Sequence, residues 1–143
     1  MKKKIAVLTV WILILSLVVC LSACEKKEVQ ADLWSEAMYT DDAELGSGEK
    51  TIKVEVITPE KTVTFTLHTD ERTLGEALLS HNLIEGEKGA YGLYVKKVNG
   101  ILADYDINGC YWGFNKNGEG MMTGVDGAEI SDGDRYSIVY TKQ

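Results

Sequence analysis

The sequence predicts an α+β domain of β-grasp-like form, a mostly antiparallel sheet with one short helix packed across it. Three observations lead there. Apolar residues recur at every second position in residues 52–56 and again in 63–67, a helix-capping signature opens an apolar stripe at residues 73–78, and two Asn-Gly dipeptides separate further apolar runs. Strand, strand, helix and then strands, all within residues 50–143, is the order of an α+β layer rather than of a repeated βαβ unit.

Ile52, Val54 and Val56 share one face of the first strand, and Val63, Phe65 and Leu67 share one face of the next, with Pro59-Glu60-Lys61 as the turn. Thr62, Thr64, Thr66 and His68 fall on the opposite, solvated face. In Thr73-Leu74-Gly75-Glu76 the threonine hydroxyl can accept from the freed helical N–H groups while Glu76 reaches back, so a helix is expected from Leu74 to Asn82 with Leu74, Ala77 and Leu78 inward. Asn-Gly supplies the two positive-φ residues of a type I′ turn. It therefore predicts strands Leu93–Val98 and Ile101–Tyr105 around Asn99-Gly100, and Cys110–Lys116 and Glu119–Thr123 around Asn117-Gly118; Arg135–Thr141 closes the chain after the turn Ser131-Asp132-Gly133-Asp134.

Ahead of this domain, Lys2 to Lys4 precede an apolar run from Ile5 to Val19, and Leu21-Ser22-Ala23-Cys24 follows. The order resembles a bacterial lipobox, with residues 1–23 as a cleaved signal and Cys24 as the lipidated residue; an uncleaved anchor is the alternative, and both put the domain on the outer face of the bacterial cytoplasmic membrane. Residues 24–49 read as an acidic tether ending in Gly46-Ser47-Gly48. Leu33, Trp34, Ala37 and Met38 within it form an apolar patch, either a short helix docked on the domain or a contact on the ligand side. Removing Lys2, Lys3 and Lys4 from a net charge of −7 leaves −10, a sign that excludes nucleic acid as a partner. With Cys20 in the signal and Cys24 taken by lipid, Cys110 stands alone and no intramolecular disulfide can form.

A two-residue turn at Asn117-Gly118 pairs Phe114 with Met121 and Trp112 with Thr123, so Cys110, Trp112, Phe114, Met121 and Thr123 share one face of the hairpin. Aromatic and thioether groups on such a face suit a flat conjugated macrocycle, and backbone N–H groups or the Thr123 hydroxyl suit amides on its rim. The same stripe is also that of an ordinary core, and the residues alone leave both readings open. Asp104-Tyr105-Asp106-Ile107-Asn108-Gly109 matches the first half of a calcium loop, but the twelfth position is Asn115 rather than Glu, so an acidic turn is the expectation. His68, His81 and Cys110 are spaced for neither a metal site nor a catalytic pair.

Tyr91-Gly92-Leu93-Tyr94-Val95, Val98-Asn99-Gly100-Ile101, Tyr111-Trp112, Met122-Thr123-Gly124-Val125 and Asp132-Gly133-Asp134 occur in that order. Together they resemble the transcobalamin-like C-terminal domain family, found in bacterial surface lipoproteins and at the end of the animal cobalamin carriers. In those carriers the domain closes over one face of cobalamin while a separate helical barrel, without counterpart in this sequence, holds the other. The resemblance implies a non-enzymatic, lipid-anchored domain that binds cobalamin or a related corrinoid for uptake, with no covalent cofactor and no metal ligands of its own. It implies ligand contacts at Trp112, Gly113, Phe114, Met121, Met122, Thr123 and Gly124, where Gly113 and Met121 differ from the carriers' side chains. The implied partners are the corrinoid, the membrane through Cys24, and a transporter or second ligand-binding domain. The alternative is an adhesion module whose aromatic hairpin meets a surface protein or cell-wall polymer.

Overall fold

The computed structural model describes residues 32–143. The expected signal, Cys24 and the first part of the tether lie outside the described residues.

Nine strands and two short helices follow in chain order: β1 Ala43–Gly46, β2 Lys50–Ile57, β3 Thr62–Thr69, α1 Leu74–Ser80, β4 Ile84–Gly89, β5 Gly92–Val98, β6 Ile101–Leu102, α2 Tyr105–Asn108, β7 Cys110–Lys116, β8 Glu119–Gly120 and β9 Arg135–Lys142. The main sheet has the order β1-β3-β2-β9-β7-β8, and β4-β5-β6 make a second, smaller sheet. β2 and β3 form the expected hairpin, with Val54 opposite Phe65. Their inward residues Ile52, Val54, Phe65 and Leu67 are completely buried. β9 then runs parallel to β2 at the centre of the sheet, so that Tyr136 and Ile138 join the same core face.

The capping box forms as predicted. Thr73 accepts from the Glu76 N–H, and Glu76 accepts from the Thr73 N–H at 3.0 Å. Those Thr73 bonds hold the Glu76 carboxyl below its ordinary pKa. α1 buries Leu74, Ala77 and Leu78 against the sheet and ends at Ser80, with His81 as its C-cap, two residues short of the expected Asn82.

Several expectations are corrected. The tether assigned to residues 24–49 contains β1, which pairs in parallel with β3 (Ala43 opposite Phe65), while the docked short helix offered for its apolar patch is present as a 3-10 turn, Leu33–Glu36, with Trp34 buried. His68 on the supposedly free Thr-rich face holds that added strand, with Nε2 2.6 Å from Glu44 Oε1 and Nδ1 3.0 Å from Thr51 Oγ1. β4 was not expected, because only Ile84 of its six residues is buried and no period-two pattern marks it. β6 stops at Leu102 rather than Tyr105, because Asp104 accepts from the Asp106 N–H and starts α2, which Gly109 closes at φ 67°. β8 stops at Gly120 rather than Thr123, since the chain leaves the sheet to bury Val125 and Ala128 in the core.

Candidate functional site

Cys110–Lys116 forms β7 as expected, and its Asn117-Gly118 turn has both residues at positive φ, 52° and 88°. Phe114 accepts from the Met121 N–H at 3.0 Å, which realises the predicted Phe114–Met121 pairing. The next predicted pair does not form: Trp112 sits opposite Tyr140 of β9 instead of Thr123. The two rings meet edge to face, with centroids 5.3 Å apart. Burial first, and the neighbouring Cys110 thiol second, push the Tyr140 phenol up to about 12.

The early end of β8 has a consequence for β7. β8 pairs only with Asn115 and Lys116, which leaves the edge of β7 from Cys110 to Trp112 without a strand among the described residues. β6 likewise pairs only with Lys97 and Val98 of β5. Between these two short-covered edges lies a hollow of about 360 Å³. Leu93, Tyr94 and Val95 of β5 and Tyr111, Trp112 and Phe114 of β7 line it. Adjacent residues of a strand point to opposite faces, so a hollow that touches both parities of each strand wraps an edge rather than a face. Its buried members are Val95, Trp112 and Val125, and its exposed ones include Tyr94, Tyr105 and Gln143.

The chemistry of the hollow is mostly aromatic and aliphatic, with the hydrogen-bonding groups of a strand edge beside it. Asp126 fixes its position by accepting from the Leu93 N–H at 2.9 Å, which ties the turn Val125–Gly127 to β5. Tyr105 of α2 donates to Gln143 Oε1 across the hollow's exposed side. Beyond the hollow, Tyr91 at the β4–β5 tip and Met122 are fully exposed, and Ile107 is largely so.

Of the seven residues expected to contact ligand, Trp112, Phe114 and Gly124 line this hollow. Met121, Met122 and Thr123 border a separate shallow concavity with Lys116 and Glu129. Gly113 is on the other face of β7, beside Thr141 and Tyr111. The hollow also includes Leu93, Tyr94, Val95, Tyr105, Tyr111, Val125 and Gln143, which were not singled out as contacts. Some of these stood in the quoted motifs, but only the folded structure brings β5 of one sheet and β7 of the other around one hollow.

The histidines and the free thiol stay apart. His68 binds Glu44 and Thr51, His81 caps α1, and Cys110 is buried with its Sγ donating to Asn108 O. Among the described residues no group of three His, Cys, Asp or Glu side chains could hold a metal ion. Asp104, the first residue of the candidate calcium loop, is nearly buried and lies 3.0 Å from Lys96 Nζ, which also reaches Glu87 at 3.1 Å. The Lys96 hydrogen bond holds the Asp104 carboxyl below its ordinary value, and the two carboxylates raise the Lys96 ammonium.

A carboxyl with a lowered folded-state pKa adds stability above its unfolded value, about pH 3.9, and loses it as pH falls through the folded value. The melting temperature should therefore hold from neutral pH to about pH 4 and fall below it. Asp104→Asn, which keeps the cap, should flatten that acid limb. Calcium or chelator should leave both melting curves unchanged; a calcium-dependent rise would restore the loop as a metal site.

A crystal structure from Ruminococcus gnavus, described as that of a "putative metal binding protein", is 38% identical, with a TM-score of 0.63 over 66% of this chain and 99% of that chain. Haptocorrin in complex with Cbi matches at a TM-score of 0.50 and 16% identity, over 68% of this chain and 26% of that chain. This chain thus spans about a quarter of haptocorrin, and at that identity the likeness supports the transcobalamin-like fold alone. No curated protein sequence matches. Residues 71–142, from the end of β3 through β9, match the family described as Domain of unknown function (DUF4430), and the chain belongs to that family.

Proposed function

We propose that this chain is a lipid-anchored, extracytoplasmic binding protein that holds one face of cobalamin or a related corrinoid in the hollow between β5 and β7. The observation that carries the reading is the hollow itself: an aromatic and aliphatic surface beside open strand edges, a match for a ring with a flat face and an amide rim. Its volume of about 360 Å³ suits contact with part of such a ligand rather than enclosure. Haptocorrin, of the transcobalamin family and solved with Cbi, has the same fold at low identity and lends the class of ligand. Binding rather than catalysis fits the engagement of His68, His81 and Cys110 at three separate places. The export signal and the lipid on Cys24 rest on the sequence alone.

The test is titration of the full chain in detergent micelles with cobalamin and with cobinamide, followed by corrin absorbance and calorimetry. A saturable change below millimolar ligand is expected. Tyr94→Ala and Tyr105→Ala, both at exposed positions, should weaken it together by tenfold or more, about 1.4 kcal/mol, without lowering the melting temperature. No saturable signal up to millimolar concentration would remove the corrinoid. In that event the adhesion reading takes its place, with the same aromatic hollow meeting a surface protein or cell-wall polymer.

A further inference from the structure

Trp112 lines the hollow and is only 6% exposed, so more than nine-tenths of it is buried. Its Nε1–H is the one buried side-chain nitrogen or oxygen among the described residues that has no hydrogen-bond partner. Indole N–H is a donor only, and leaving a buried donor without an acceptor costs about 1–3 kcal/mol. The chain meets the same demand elsewhere: Trp34 Nε1 donates to Thr58 Oγ1 at 2.9 Å. The exception therefore falls on the tryptophan that forms the wall of the hollow.

A second feature points the same way. Phe114 O accepts from Met121 N toward the β8 side, and strand period two turns the backbone N–H and C=O of Trp112 in that direction as well. Among the described residues no strand pairs with Trp112 there. One residue that lines the apolar hollow thus carries an unused indole donor and strand-edge backbone groups.

We infer that the Trp112 indole N–H is the polarity-reading group of the site, and that the ligand it selects carries a carbonyl-type acceptor, such as a carboxamide, on an otherwise apolar ring edge. The inference rests on the binding role proposed for this hollow and specifies what the ligand must present. It also fixes opposite signs for two measurements. Removing the donor relieves an unmet demand in the free protein and withdraws a bond from the complex.

The experiment compares 2-naphthamide with 2-methylnaphthalene, two probes of similar size that differ in the acceptor. The full chain in micelles carries three tryptophans, so ¹⁵N labelling gives at most three indole resonances, assigned by Trp34→Phe and Trp112→Phe. Naphthamide should move the Trp112 N–H resonance downfield in a saturable way and bind at least fivefold more tightly than methylnaphthalene. Replacing the Trp112 indole by benzothiophene keeps the ring shape and removes the N–H. That change should abolish the fivefold preference and leave the melting temperature equal or higher.

If corrinoids fail to bind but naphthamide produces these effects, the ligand class proposed above falls and the donor assignment stands. If the corrinoid binds and benzothiophene replacement leaves its affinity unchanged, the assignment is overturned while the binding role stands. Equal affinity for the two probes, or a large drop in melting temperature on benzothiophene replacement, also overturns it, the latter by showing that the N–H serves an internal water.

Discussion

Trp34→Ala should lower the melting temperature by about 10–20 °C, although residue 34 lies in a stretch whose composition is that of a linker. The indole is 8% exposed, donates to Thr58 Oγ1, and lies under Lys61 Nζ at 5.6 Å from its ring centre. Thr58 is itself buried and fastens the β2–β3 turn by donating to Lys61 O and accepting from the Glu60 and Lys61 N–H groups. Truncating the tryptophan removes roughly 3–5 kcal/mol of burial and packing and deprives this turn of its cover. Thr58→Val separates the polar part, since it leaves the Trp34 donor buried without an acceptor at a cost of about 1–3 kcal/mol. Thermal melts of the two variants decide the matter, and a shift under about 3 °C for Trp34→Ala would mean that the lead-in is not part of the cooperative fold.

Asn99→Ala should cost about 3–4 kcal/mol, a large loss for a side chain in a two-residue turn. Asn99 is completely buried and has φ 52°. Its amide works as a strand would: Oδ1 accepts from the Tyr39 N–H at 3.0 Å and Nδ2 donates to Tyr39 O at 2.8 Å, while its own carbonyl accepts from the Met38 N–H. Alanine removes two bonds to half-buried backbone and adds left-handed strain of about 1 kcal/mol. Asn99→Gly relieves the strain and keeps the turn, so it should recover only that last part. If the glycine variant were as stable as the parent in chemical denaturation, the amide bridge to Tyr39 would carry no weight.

These two residues show what was legible in the sequence. Strands with one buried face, β2, β3 and β9, announce themselves through period two, and α1 through its capping box, because local chemistry and burial agree there. Asn99-Gly100 revealed a turn but not that the asparagine also grips a segment sixty residues earlier, since a long-range bond leaves no local pattern. β1 was hidden for the same reason: its half-buried, half-exposed alternation is weak, and its place is set by Asp42 accepting from the Thr64 N–H and Glu44 meeting His68. The candidate site was half legible. The aromatic stripe gave Trp112 and Phe114, whereas the contribution of β5 depends on how the smaller sheet packs beside β7, a long-range property with no local pattern.

The fastening of residues 32–46 also limits reach. With a lipid on Cys24, as proposed, seven residues lie between the acylated position and Asp32, and those eight Cα–Cα steps at roughly 3.3 Å each extend about 26 Å at most. A free tether up to residue 50 would allow about 85 Å. On that proposal the domain stays within roughly one protein diameter of the bilayer, where a bound ligand would pass to a neighbour in the same membrane plane rather than be gathered from far outside it.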